Sequence, residues 1–460
     1  MTPALQVVGG CPDGTFCALL AGLCSVRHGL ALILQLCNFS IYTQQMNLSI
    51  AITAMVNSTV APSQPNASTE MPLTHPQDHW NSSLKESKAV PAYDWSPEIQ
   101  GIILSSLNYG SFVAPIPTGY VAGIFGAKSV VGTGLLASSV LTLFIPLAAD
   151  AGVALSEIPL QVMVSTGQYS IWVKWAPPLE RSQLTSMAGS GSMLGTFIVL
   201  LTGGLICQNI GWPYVFYIFG GIGCACCLLW FPLVYNDPGN HPFISAGEKR
   251  YIACSLAQQD CSPGWTLPLK AMILSLPLWA IVVSYFCEYW LFYTIMSYTP
   301  TYISSVLQTN LRDSGILSAL PFVVGCVCII LSGLLADFLL SRRVLRLVTI
   351  RKLFTAIGNG VVFSSGVLVA LHWVRSSHGT TMVFLALSSA FSSLCEAGVL
   401  VNFLDIAPRY AGFLKGLMQI FAHIAGAISP TVAGVLINQV RPNVLMNVHK
   451  RNSQRLCHSH

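Results

Sequence analysis

Apolar residues in this chain gather into runs of about twenty, the length that carries an α-helix across roughly 30 Å of hydrocarbon at about 1.5 Å per residue. Eleven such runs can be read. They begin near Gly29, Ile99, Val130, Met187, Trp212, Ile273, Gly315, Leu353, Met382 and Phe413, with a weaker one between Leu160 and Trp175. Lipid offers no partner to a backbone amide, and the period-two alternation of barrel strands is absent, so each run is expected to be a helix. The expected fold class is an all-α polytopic membrane protein. Composition agrees, because 53% of the residues are hydrophobic and only 8% are charged, too few to cover a soluble surface. A net charge of +5, dispersed along the chain, does not make a nucleic-acid surface. The expected surroundings are membrane lipid, with no nucleic-acid partner.

Most of the 15 cysteines lie inside apolar runs, including Cys224, Cys226 and Cys227, and no further His or Cys stands close to that trio to complete a metal site. They read as small buried hydrophobes, and no metal site is expected. Neither a nucleophile elbow nor a His cluster appears, and there is no GxxxxGK loop to grip ATP phosphates. An enzyme, an organic cofactor and direct ATP drive are therefore not expected. The first residues lack a basic stretch and are interrupted by Asp13, so the first span is expected to direct its own insertion.

Basic residues divide unequally between the loops. Lys128, Lys174, Arg181, Lys249, Arg250, Lys270, Arg342, Arg343, Arg346, Arg351, Lys352, Arg409 and Lys415 fall on one side with Arg27, against Lys85, Lys88, Arg312 and Arg375 on the other. The excess places the amino terminus in the cytoplasm. The polar loop 57–94 is then extracellular, and its sequons at Asn57, Asn66 and Asn81 are expected glycosylation sites. Sequons at Asn38 and Asn47 lie within the first span, where sugar is not tolerated.

The chain reads as duplicated. Gly119, Gly123 and Lys128 follow the second span as Gly333, Asp337, Arg342 and Arg343 follow the eighth, and Ala176-Pro177 precedes the fifth span as Ala407-Pro408 precedes the eleventh. Gly195 and Gly203 in the fifth span match Gly426 and Gly434 in the eleventh, a spacing that lets helix backbones approach. The organisation expected is an N-terminal segment 1–26, a bundle 27–235, a linker 236–270, a second bundle 271–438 and a polar tail 439–460. Two similar halves around a midplane site are the architecture of alternating-access carriers.

GLLADFLLSRR from Gly333 to Arg343 resembles the loop signature of the major facilitator superfamily, and GYVAGIFGAK from Gly119 is a degenerate copy with Gly123 where an Asp is usual. KWAPPLERS from Lys174, PTYIS from Pro300 and NFLDIAPRYAG from Asn402 make the chain similar to the anion transporters of solute carrier family seventeen over about Cys24 to Asn438. That family includes sialin, the vesicular glutamate transporters and the type I sodium-phosphate cotransporters. The resemblance implies a monomeric carrier of inorganic phosphate or organic anions such as urate, coupled to sodium or driven by the membrane potential, in the plasma membrane at the apical face of epithelial cells. It also implies cytoplasmic charge latches, Asp337 with Arg342 or Arg343 and Glu180 with Arg181, with Lys128, Asp405 and Arg409 at the same gate. The sequence departs from the family at three places. Gln45 stands where an Arg is usual, the fourth span is cut to about sixteen residues after Pro159, and a polar tail replaces the twelfth span. A non-transporting membrane variant or subunit is the alternative these departures suggest.

An ionisable side chain at membrane depth costs roughly 3 kcal/mol or more, so it turns toward a cavity or a partner. Glu288, among Tyr285, Tyr289, Trp290 and Tyr293 in the seventh span, and Glu396 in the tenth are candidates for protonation or cation coupling, or else are structural acids. Asn38, Tyr42, Gln45, Asn47 and Ser49 form a polar stripe on the first span, for cavity lining or helix–helix hydrogen bonding. Tyr109, Gln168 and Asn402 lie at comparable depth. Asp405 is expected to pair with a loop Arg, and Arg351 with Lys352 to anchor the ninth span at the interface.

Overall fold

The computed structural model describes residues 25–55, 111, 114–150, 158–257, 269–306, 311–358, 378–429 and 432, and all regular structure among them is helical. Tyr109, Asn57, Asn66, Asn81, Pro430, Gly434 and the segments 1–24 and 433–460 lie outside the described residues.

The first half contains α1 (Val26–Met55), α2 (Pro115–Phe125), α3 (Ala127–Asp150), α4 (Ile158–Trp175), α5 (Arg181–Asn209) and α6 (Pro213–Leu233). A linker helix, α7 (Ala246–Leu256), and a short α8 (Leu269–Ile273) follow. The second half contains α9 (Leu276–Val306), α10 (Leu311–Ser341), α11 (Leu347–Gly358), α12 (His378–Cys395), a π turn (Glu396–Leu400), α13 (Val401–Ile406) and α14 over 411–429. Among the described residues seven helices are long and apolar enough to cross a membrane. α1 is not one of them, although it has 30 residues, because its polar stripe dilutes its hydropathy. Outward-facing Leu147, Leu228, Leu276 and Leu331 are exposed, an inside-out pattern suited to lipid.

Local chemistry sets the helix ends. Proline starts α2 and α6, where its missing N–H and fixed φ cost nothing. Gly211, at φ +119, turns the chain between α5 and α6, and its N–H closes on the Ile206 carbonyl at 3.0 Å. α4 has only 18 residues with Pro159 in its first turn, which matches the short fourth span. Ser245 caps α7 by accepting the Glu248 N–H at 3.1 Å. The Glu248 carboxylate then accepts the Val26 and Arg27 amides, each at 3.2 Å, so it caps the start of α1 as well. The linker is thereby fastened to the first half.

α1 packs along α5 and α6, and α5 also runs along α10, the main seam between the halves. Glycine makes these approaches possible. A Cβ on Gly191 would collide with the Gln35 carbonyl, and one on Gly195 would sit 2.6 Å from the Phe39 oxygen. Gly203, the partner of Gly195 in the expected spacing, instead faces the Ile50 side chain at 3.2 Å. Across the other seam, Gly119 of α2 meets Gly412 of α14 backbone to backbone. The core is aromatic, with Trp172, Trp175, Trp230, Tyr285, Phe216 and Phe403 fully buried.

Candidate functional site

Two contiguous cavities lie inside the bundle. The one nearer the linker end is lined by Asn38, Gln168, Tyr169, Trp172, Thr185, Ser192, Glu396 and Lys415. The one further from it is lined by Gln45, Gln161, Val162, Phe292, Tyr293 and His423. Tyr42, Ser165, Tyr289 and Gln419 line both. α1, α4, α5, α9, the π turn and α14 therefore all contribute walls, and the cavity lies between the two halves.

Lys415 dominates its chemistry. It is only 4% exposed, and its Nζ donates to the Tyr285 hydroxyl at 2.7 Å while lying 4.8 Å and 4.7 Å from the Tyr169 and Tyr285 ring centroids. Tyr285 in turn donates to Gln419 Oε1 at 3.3 Å. Aromatic faces stabilise a desolvated ammonium without neutralising it, so Lys415 remains available to a full negative charge. Glu396 and Glu288 act on Lys415 electrostatically and on one another. Glu288 is buried, and its Oε2 has no hydrogen-bond partner among the described residues.

The expected stripe on α1 divides between two tasks. Tyr42 and Gln45 line the cavity, and Asn38 lines it while accepting from Gln168 Nε2 at 3.1 Å and donating to the Ala188 carbonyl at 2.9 Å. Gln44, one residue round, ties α1 to α3 through Ser139 at 3.0 Å and Ser138 at 2.8 Å. Asn47 is fully buried and Asn402 half-buried, and neither lines these two cavities, while Ser49 faces outward.

The linker end is closed by a buried ion cluster whose pairings differ from those expected. Asp337 does not reach Arg342 or Arg343. Its carboxylate accepts the Ser182 and Gln183 amides at 3.3 and 2.6 Å, capping α5 across the seam. Arg342 and Arg343 lie exposed beyond the last turn of α10, Arg342 beside the Phe338 ring and Arg343 at φ +54. Glu180 pairs with Arg27 at 3.0 Å, not with Arg181. Arg181 instead crosses the seam to Asp405 at 2.8 Å and to the Leu404 carbonyl. Arg351 is buried, not an interfacial anchor, and donates to Asp405 at 2.9 Å, Ser182 Oγ at 2.8 Å and the Ala397 carbonyl at 2.9 Å. Lys128 lies over the Tyr235 ring and Arg409 beside the Tyr410 ring. On the linker, burial and the neighbouring Glu180 charge push the Tyr251 phenol up to about 12, so it donates to Glu180 throughout the physiological range.

Lys415 was grouped by sequence with the loop cations, and the structure corrects that placement to the cavity wall. Gln161, Gln419 and His423 also escaped the sequence reading. The signal was available, since Lys415, Gln419 and His423 recur at four-residue intervals in an apolar run, as do Gln161, Ser165 and Tyr169 on α4.

The Major Facilitator Superfamily profile matches residues 34–430, and the chain belongs to that family of membrane transport proteins. Among curated relatives it is 81% identical over 425 residues to the human protein described as "Probable small intestine urate exporter", covering 91% of this chain and 85% of that one. It is 54% identical over 426 residues to human "Sodium-dependent phosphate transport protein 3", covering 91% and 97%. Among solved structures it resembles the E. coli fucose:proton symporter FucP, with TM-score 0.56, 15% identity and 89% and 92% coverage. It also resembles the proton:xylose symporter XylE, with TM-score 0.56, 13% identity and 92% and 90% coverage. At these identities the two structures bear on the fold alone.

Proposed function

We propose that the chain is an alternating-access carrier of anions, with a planar organic anion such as urate as the preferred cargo over inorganic phosphate. The observation that carries this reading is Lys415, a buried ammonium in the wall of a cavity between the halves. It supplies a cation that Gln45 cannot. Tyrosines, amides and apolar side chains make up most of the remaining wall, beside Glu396 and His423, and suit a flat, partly apolar anion, whereas phosphate calls for several converging charged donors. The relatives' names, a urate exporter and a sodium-dependent phosphate transport protein, fall within the same anion class. A non-transporting role is disfavoured because both cavity and gate are built.

A monovalent anion entering a negative interior is opposed by about 2.3 kcal/mol per 100 mV, so uncoupled transport runs outward and uptake requires co-transported cations. Glu288 and Glu396, close to Lys415, are the proposed coupling acids, for sodium or protons. The linker end is proposed to face the cytoplasm, in the plasma membrane at the apical face of epithelia, with the carrier acting as a monomer. Purified protein in proteoliposomes tests the core of this reading. Urate flux should be saturable, Lys415→Ala should reduce it at least about tenfold, and Lys415→Arg should retain part of it. Undiminished flux in Lys415→Ala would remove the anion anchor.

A further inference from the structure

Gln161 is 2% exposed, lines the cavity compartment away from Lys415, and has neither its amide oxygen nor its amide nitrogen hydrogen-bonded among the described residues. A buried amide left this way costs free energy on both atoms, and apolar neighbours such as Val162 and Phe292 offer it nothing. Three other cavity amides are partly occupied. Asn38 and Gln168 bond each other, and Gln419 accepts from Tyr285. Gln161 is therefore a donor–acceptor pair held ready inside a site whose only buried ammonium, among the described residues, lies in the adjoining compartment.

We infer that Gln161 is a specificity-determining residue that reads an adjacent N–H and C=O on the cargo, the edge of a lactam, urea or purine ring, while Lys415 holds the negative charge. Carboxamide and such an edge are complementary, because each offers one donor beside one acceptor. The two contacts are made or lost together. A cargo without that edge leaves both amide atoms without a partner on the bound cargo, so discrimination arises because one ligand class alone matches the pair. This inference rests on the anion-carrier reading above.

The test uses full-length protein in proteoliposomes with three anionic probes: urate, a pyridone carboxylate carrying the lactam edge, and benzoate lacking it. Wild-type protein should favour the first two. Gln161→Met, of similar length and apolar, should raise the KM for urate and for the pyridone carboxylate about tenfold and leave that for benzoate within about twofold. Gln161→Leu should repeat the pattern, with benzoate flux reporting that each variant is folded. Equal changes for all three probes, no change for any, or loss of benzoate flux as well would each overturn the assignment, by showing that the amide supports the bundle or faces water. Wild-type protein silent toward all three probes would instead sink the carrier reading itself, and this inference with it.

Discussion

At the scale of single residues, the site is an arrangement of a few charges around a cavity between the halves. Lys415 is shared between tyrosine faces and two carboxylates, so an arriving anion competes with Glu396 and Glu288 for the same ammonium. Binding is then favoured when a carboxylate is protonated or paired with a cation, which is the physical content of coupling. Glu396→Gln should accordingly keep basal urate flux but lose at least about fivefold of its stimulation by an imposed sodium or proton gradient. An unchanged response to both gradients and to voltage would take Glu396 out of the coupling step. Glu288 and Glu396 were legible in the sequence because a carboxyl within an apolar run has few structural explanations. Lys415 was not, because it stands two residues from the start of its run and a terminal lysine ordinarily snorkels to the interface. Only its repeat with Gln419 and His423 marks a face that is polar over several turns.

At the scale of elements, hydrophobic run length located the seven long apolar helices among the described residues, and caps and turns set their ends. What sequence could not display was the π turn at Glu396–Leu400, since nothing in EAGVL distinguishes it from ordinary helix. That turn shifts the register of the tenth span and places Glu396 and Leu400 on the cavity wall. The linker was likewise legible as polar but not as a docked helix, because the partner of Glu248 lies 221 residues away. Glu248→Ala removes the carboxylate that caps α1 and pairs with Arg27, and should weaken docking by about 1–2 kcal/mol. Limited proteolysis within 246–257 should speed up correspondingly, while unchanged cleavage would show that the helix is held by its apolar face instead.

At the scale of the whole molecule, the two halves close at the linker end by different physics on the two seams. Between α5 and the second half the closure is ionic: Arg181 and Arg351 share Asp405, and Asp337 caps α5. Removing the Asp405 charge strands two buried guanidiniums, a cost of about 3–5 kcal/mol to the closed arrangement alone. Asp405→Asn should therefore move the population toward a form open at the linker end. In a Ser186→Cys background, maleimide labelling from that side should accelerate at least about a hundredfold, the population shift that about 3 kcal/mol corresponds to. Labelling at the parental rate would mean the seam stays shut without its ions. The paired signatures make the sequence read as duplicated, but they carry no sign of this division of labour. The sequence shows Gly123 lacking a carboxylate, without showing that Gly119 and Gly412 substitute by direct backbone contact.

The glycine seam has a mechanical corollary. Gly412 rests on Gly119, Gly416 faces the Pro115 carbonyl so closely that a Cβ would lie 2.5 Å from it, and Lys415 projects from that same turn of α14 toward the cavity. The residue proposed to grip the cargo and the glycines that seal the floor thus share one rigid turn, with no joint between them. Loading the site cannot leave the floor untouched, and prising the floor apart must drag the grip with it, so no separate lever is needed to tell one about the other.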